Sequence, residues 1–284
     1  MAASNLVDFE EVSYLYPGAA VPAVQNLSLN IRQNQRYALI GRNGCGKTTF
    51  FHLINGLYKP QKGVIRWKEN PLKYDRRSLN QLRQQIGLVF QNPEHQLVAT
   101  TVEEDISYGL CNLGLPESEI ASKVQQALLD FDLSDLADAP VNFLSLGQKK
   151  RISIADVMVL QPQLILLDEP GAYLDPHQVR NFQKILISIQ KKGSTIVLSS
   201  HDLDFVEAWA DWVFVMDEGR VVLEGSPGTV FSETEKLNEL GLGLPLIYDL
   251  MNSRSDLDGN PANLNPFNEF RQRIRDRFWS GEKS

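Results

Sequence analysis

The chain has 284 residues, 43% of them hydrophobic and 22% charged, with 28 Lys and Arg against 35 Asp and Glu for a net charge of −7. That length and balance fit one or two globular domains, and the acidic excess excludes a general attraction to nucleic acid while leaving room for a local basic patch. No apolar run approaches the roughly 18 residues of a membrane span, Met1 to Asn5 lack the basic and apolar regions of a signal peptide, and Cys45 and Cys111 give neither a disulfide framework nor metal-site spacing. The expected location is the cytoplasm.

In chain order, Val7 to Tyr14 and Val24 to Ile31 alternate apolar and polar residues around the turn Pro17-Gly18, which predicts two strands. Tyr16, at the edge of that sheet, is either an ordinary strand-end tyrosine or a platform for a base; Tyr14 shares its face. A short apolar strand, Tyr37 to Ile40, then runs into Gly41-Arg42-Asn43-Gly44-Cys45-Gly46-Lys47-Thr48-Thr49, and a helix-forming run follows to Ile54. This fits G-x-x-x-x-G-K-[ST] at every fixed position and in the required strand, loop, helix order, the signature of a phosphate-binding P-loop. Gly41, Gly44 and Gly46 let successive N–H groups turn inward on an anion, and the helix adds its positive end. Lys47 would reach the terminal phosphates of a nucleotide and the Thr48 hydroxyl would ligate Mg²⁺. Residues Gly63 to Trp67 and Ile86 to Phe90 read as strands, the second stopped at Gln91-Asn92-Pro93. Gln91 is, by itself, a polar residue at a strand-to-loop junction.

A helical block follows. Thr101-Val102-Glu103-Glu104 is a T-x-x-E capping box, and Ile120, Val124, Ala127, Leu128 and Phe131 mark the buried stripe of a second helix. Ser145-Leu146-Gly147-Gln148 forms an S-x-x-Q box opening an apolar helix through Leu160; capping explains Ser145 and Gln148, and a capped helix start is also a good place to present a hydroxyl and N–H groups to phosphate. Leu164 to Leu167 then ends in Asp168-Glu169, as expected of a buried parallel strand delivering acids at its C-terminal edge. With the P-loop this is a Walker B pattern: Asp168 would orient the metal's water shell and Glu169 would polarise the attacking water. Asp175-Pro176 caps another helix, Thr195 to Leu198 is a β-branched strand that brings His201 to the same edge as the acids, and Trp212 to Met216 with Val221 to Leu223 forms a hairpin. From Gly241 the pattern changes to a linker rich in Asn, Pro, Ser and Gly, followed by Phe267, Phe270, Ile274 and Phe278 at helical spacing among Arg271, Arg273, Arg275 and Arg277. This predicts a tail helix, packed on the chain itself or, through its basic face, on a membrane surface or partner.

Taken together and in this order, the P-loop, Gln91, the S-x-G-Q motif, Asp168-Glu169 and His201 resemble the nucleotide-binding subunit of an ABC transporter from about residue 6 to residue 240. The resemblance implies an α/β fold: a P-loop NTPase core with an N-terminal antiparallel β-subdomain, an inserted α-helical subdomain at about 95–162 and a C-terminal helical extension. Domain boundaries follow at 1–240 for the ATPase and 242–284 for the extension. It implies ATP and Mg²⁺ as cofactors, adenine stacked on Tyr16, the cradle Gly41 to Thr49 around the phosphates, Gln91 as a contact to metal and water, Glu169 as catalytic base and His201 as the switch histidine. Ser145, Gly147 and Gln148 become nucleotide-binding, Ser145 with Gly147 reaching across to the γ-phosphate held by a second copy, and Asp175 belongs to the loop that joins the two copies.

Phe90 to Leu97, Thr101 to Ile106 and Gly147 to Arg151 are most similar to the energy-coupling factor (ECF) type ATPases. That subgroup powers uptake of transition-metal ions such as cobalt or nickel, or of vitamins. The implied partners are a second ATPase subunit, the same or related, a membrane-spanning coupling subunit and a substrate-binding membrane subunit, with no nucleic acid; the implied location is peripheral, on the cytoplasmic face of the membrane. The chain departs from the family at Leu146, where glycine is usual near the partner's nucleotide, and at Gly171, where a small hydroxyl residue is usual. The competing reading is a soluble ABC ATPase that remodels a nucleic-acid or protein assembly, against which stand the single cassette and the acidic balance. A non-hydrolysing ATP-binding module is disfavoured by Glu169 and His201, and a GTPase by the lack of an N-K-x-D motif.

Overall fold

The computed structural model describes residues 4–250. In chain order the strands and helices of the first half are β1 (Asn5–Tyr14), β2 (Val24–Arg32), β3 (Arg36–Ile40), α1 (Lys47–Ile54), β4 (Lys62–Trp67), β5 (Asn70–Pro71), α2 (Arg76–Gln85) and β6 (Ile86–Val89). The helical block is α3 (Val102–Cys111), α4 (Glu117–Asp130) and α5 (Leu146–Met158), and β7 (Leu164–Leu167), α6 (Pro176–Lys191), β8 (Thr195–Ser199), α7 (Leu203–Trp209), β9 (Trp212–Asp217), β10 (Arg220–Gly225), α8 (Pro227–Ser232) and α9 (Thr234–Glu239) complete it.

Two sheets result. An antiparallel sheet in the order β2-β1-β4-β5 packs over a second sheet in the order β10-β9-β3-β8-β7-β6, whose strands run parallel from β9 to β6, with β10 antiparallel on its edge. The central parallel strands are buried on both faces, and the two-residue period divides their side chains between two cores. Tyr37, Leu39, Leu164, Leu166 and Val197 face the antiparallel sheet and α1, whereas Ala38, Ile40, Ile165, Leu167, Ile196 and Leu198 face the helices. Alternation in β2 places Val24, Leu27, Leu29 and Ile31 in the first core, with Leu29 opposite Phe9 of β1.

The helical block stands between β6 and β7, which are neighbours in the sheet, so it is an excursion that returns beside its starting point. Its helices start where the boxes predict: Thr101 Oγ1 accepts from Glu104 N at 3.4 Å while Thr101 N donates to Glu104 Oε2 at 3.1 Å, and Ser145 and Gln148 repeat the exchange at α5. Asp175 caps α6 the same way, its Oδ1 accepting from His177 N and Gln178 N. The predicted hairpin is present, with Glu218 and Gly219 both at positive φ, the two-residue turn whose twist matches the strands.

The structure adds helices that the pattern does not announce. α2 reads Arg-Arg-Ser-Leu-Asn-Gln-Leu-Arg-Gln-Gln and buries only Leu82, too little for an apolar stripe; its start is fixed by Asp75, which accepts from Ser78 N. At the other end, Leu242, Leu244 and Tyr248 still pack on the helical core, with Tyr248 5.8 Å from the ring of Phe231, so attachment continues past the predicted start of the linker. The predicted tail helix at 267–278 lies outside the described residues.

Candidate active site

Every functional side chain of the central cluster leaves the same edge of the parallel sheet, the C-terminal one, where open α/β sheets present ligands. β3 delivers the P-loop, β6 delivers Gln91, β7 delivers Asp168 and Glu169, and β8 delivers His201.

The loop keeps its shape for identifiable reasons. At Gly41 (φ 156) a Cβ would sit 2.2 Å from the Met216 carbonyl oxygen, and at Gly46 (φ 109) 2.3 Å from the Ala23 carbonyl oxygen, so a larger residue at either would displace main chain. Gly46 caps α1 without a side-chain hydrogen bond, which leaves the first N–H groups of the helix for a ligand. Lys47 is 6% exposed, and its Nζ donates to the Gly41 carbonyl at 2.8 Å and the Arg42 carbonyl at 3.2 Å, 3.9 Å from Glu169 Oε1. A cation buried among carbonyls, under an open set of N–H donors, is a site built for anion charge. Arg42 and Asn43 are exposed at the loop's tip, and burial pushes the Cys45 thiol pKa up, which makes it an inert small residue there.

Thr48 Oγ1 donates to Asp168 Oδ2 at 2.7 Å. These hard oxygens suit Mg²⁺, which binds one or two protein ligands and completes its shell with phosphate and water. ATP with its magnesium therefore fits the residues present. Bound there, the metal would stabilise negative charge developing on the phosphoryl oxygens. Glu169 is held on both carboxylate oxygens: Gln91 Nε2 donates to Oε2 at 2.8 Å, and His201 Nε2 lies 2.7 Å from Oε1. Its backbone has φ 45, in the left-handed region that residues with side chains avoid, at the place where the chain must leave β7 and turn the carboxylate towards Lys47.

Ser199 carries no motif in the sequence, yet it is fully buried and locks the two acids. Its Oγ donates to Asp168 Oδ1 at 2.7 Å and accepts from Glu169 N at 2.8 Å. The only local signal is a hydroxyl at the end of a strand. Tyr16 stands on the other side of the P-loop, 36% exposed, its hydroxyl 3.0 Å from Thr49 Oγ1 and its ring edge-on to Tyr14 and Tyr58.

The remaining site residues are gathered elsewhere. Ser145, Gly147, Gln148 and Asp175 line a separate groove of about 260 Å³ between α5 and α6. Ser145 and Gln148 bond to each other, and a Cβ on Gly147 would meet Gln178 Nε2 at 2.5 Å, so glycine there permits close packing of α5 on α6. Leu146 is 40% exposed at the start of α5, and a Cβ at Gly171 would meet nothing within 4 Å, so no crowding explains the absent hydroxyl side chain.

A family model described as ABC transporter matches residues 24–172. A putative ABC transporter ATP-binding protein of Nostoc sp. is 61% identical over 87% of this chain and 90% of its own length. An energy-coupling factor transporter ATP-binding protein of Clostridium perfringens is 42% identical over 89% of both chains. The solved structure of cbiO1 from Clostridium perfringens, described as part of the ABC transporter complex cbiONQ, superposes with a TM-score of 0.75 at 42% identity, covering 88% of this chain and 99% of that one. Among the described residues no helix is long and apolar enough to cross a membrane. With its P-loop, paired acids and ABC cassette fold, this chain belongs to the ABC transporter ATP-binding proteins and is an ATPase of that family.

Proposed function

We propose that this chain is the ATP-hydrolysing subunit of an ECF-type importer for a transition-metal ion such as cobalt or nickel, or for a vitamin, seated peripherally on the cytoplasmic face of the membrane. The observation that carries the catalytic part is Glu169, gripped by Gln91 and His201 and set 3.9 Å from Lys47. Lys47 and the N–H groups of the P-loop hold the phosphates, with adenine against Tyr16. Thr48 and Asp168, with Gln91, hold Mg²⁺ and its water. Glu169 Oε2 accepts one hydrogen bond, from Gln91, and keeps a lone pair free, so the carboxylate can take the proton of an attacking water without leaving that support. His201, on the same oxygen edge, links the state of that carboxylate to the loop after β8. Glu169→Gln is expected to lower turnover by about 10²–10⁴-fold, the usual contribution of a general base, while ATP still binds.

The transport assignment is supported by the names of the relatives and by the groove at Ser145 and Gly147. The hydrogen bonds of Ser145 go to Gln148 and not to the P-loop, which suits a helix start that completes a site on a second ATPase subunit, with Asp175 at the junction. Mass spectrometry of what co-purifies with the tagged chain from gently solubilised native membranes tests this: a membrane coupling subunit and a substrate-binding membrane subunit are expected, and finding only soluble assemblies or nucleic acid would overturn it.

A further inference from the structure

Lys150 takes no part in the cluster around Lys47, yet it is a buried ammonium, 7% exposed, in the second turn of α5. Its Nζ donates to three carbonyls of one short segment: Ala172 at 2.6 Å, Pro170 at 3.0 Å and, most distantly, Glu169 at 3.5 Å. An ammonium has three donors, so this segment occupies all of them. Pro170 is itself buried, and its carbonyl would be left dry and unpaired without the lysine.

The segment is one that needs holding. Glu169 and Tyr173 sit at φ 45 and φ 63, both in the left-handed region, so the stretch between them departs from the conformation its residues prefer. The two ends of the Glu169 backbone are fixed from opposite sides, the N–H by Ser199 and the carbonyl side by Lys150. Burial pushes the Lys150 pKa down to about 8, a cost that a space-filling residue would not carry. α5 also meets the chain just beyond this stretch, because Gly147 packs against Gln178, and Gln178 Oε1 accepts from Asp175 N at 3.1 Å.

We propose that Lys150 is a positioning residue for hydrolysis: through the carbonyls of Glu169, Pro170 and Ala172 it fixes the main chain that aims the Glu169 carboxylate, and it ties that aim to the seat of α5. The proposal rests on Glu169 acting as the base. It places one side chain between the two halves of the machinery, the cluster that works on this chain's own nucleotide and the helix start that faces outward.

The test uses the full-length chain in its native membrane complex, measuring kcat and KM for Mg·ATP and the affinity for nucleotide. Lys150→Met is expected to lower kcat roughly ten- to a hundredfold, the scale of a small misplacement of a catalytic group, with KM and affinity changed by less than about twofold. Lys150→Arg is expected to restore most of kcat, because its guanidinium can still donate to several carbonyls. Should Lys150→Met fail to fold, Lys150→Gln carries the same expectation. Wild-type kcat in the neutral variants, or a parallel loss of affinity and kcat that Lys150→Arg does not repair, would overturn the proposal. Glu169→Gln, run alongside, separates the layers: an active Glu169→Gln complex overturns the role of Glu169 itself, whereas an inactive one beside a fully active Lys150→Met complex overturns Lys150 alone.

Discussion

Ser199 has no motif around it, yet removing its Oγ strips Asp168 of one hydrogen bond and Glu169 N of its acceptor, both in a buried place. Leaving such groups unpaired costs about 1–3 kcal/mol. Ser199→Ala is therefore expected to lower the midpoint of denaturant unfolding by that margin and to slow hydrolysis more than it weakens ATP binding, since the P-loop contacts are untouched; equal stability would show that the bonds are replaced by water. The P-loop and the acids Asp168 and Glu169 can be read directly because each is a local spacing, whereas His201 takes its role only from the family resemblance. Ser199 cannot be read, because its partners come from β7, and only the strand order places β8 beside it. The resemblance implies only a contact from Gln91 to metal and water; its hydrogen bond to Glu169, 78 residues away, comes from the fold alone.

Helices α3, α5 and α6 each start on a capping box whose residues are visible in the sequence, and their apolar stripes are long enough to count. By contrast α2 buries a single leucine and α7 has seven residues, so neither carries a periodic signal. Thr101→Ala removes the α3 cap and is expected to cost about 0.5–2 kcal/mol, read as a lower melting temperature with hydrolysis per folded molecule unchanged. α5 also carries an unfavourable group. Asp156 Oδ1 is buried without a hydrogen-bond partner, and burial, reinforced by the neighbouring charge of Asp105, pushes the Asp156 carboxyl well above the usual carboxylate range. For an acid whose folded pKa is raised, the folded state binds more protons between the unfolded and folded pKa values, so stability falls as pH rises through that window. Asp156→Asn cannot titrate. Its stability relative to wild type is expected to grow from pH 4 towards neutrality, measured by urea unfolding at several pH values; a difference independent of pH would mean that the carboxyl ionises as freely folded as unfolded.

At the scale of the whole molecule, the sheet edge gathers Lys47, Thr48, Gln91, Asp168, Glu169 and His201 into one cluster, while Ser145, Gly147 and Asp175 lie in a groove of their own. A single chain thus carries the whole P-loop cradle but leaves the outward start of α5 unused. Exposed apolar side chains stand at both ends of that region, Phe143 just before α5 and Tyr173 just before Asp175, each 87% exposed. Exposed apolar patches mark interaction sites, and a second ATPase subunit, as proposed above, would cover these two side chains. The Glu169→Gln chain should bind ATP without consuming it, so with ATP and Mg²⁺ it is expected to sediment as a pair, with itself or with a related second ATPase subunit, and as a single chain without nucleotide. Ser145→Arg on the same background puts bulk and positive charge at the start of α5 and is expected to abolish pairing while nucleotide affinity stays within about threefold, because its own P-loop is untouched. Pairing that survives Ser145→Arg would take the start of α5 out of the shared site and return Ser145 to the helix cap alone.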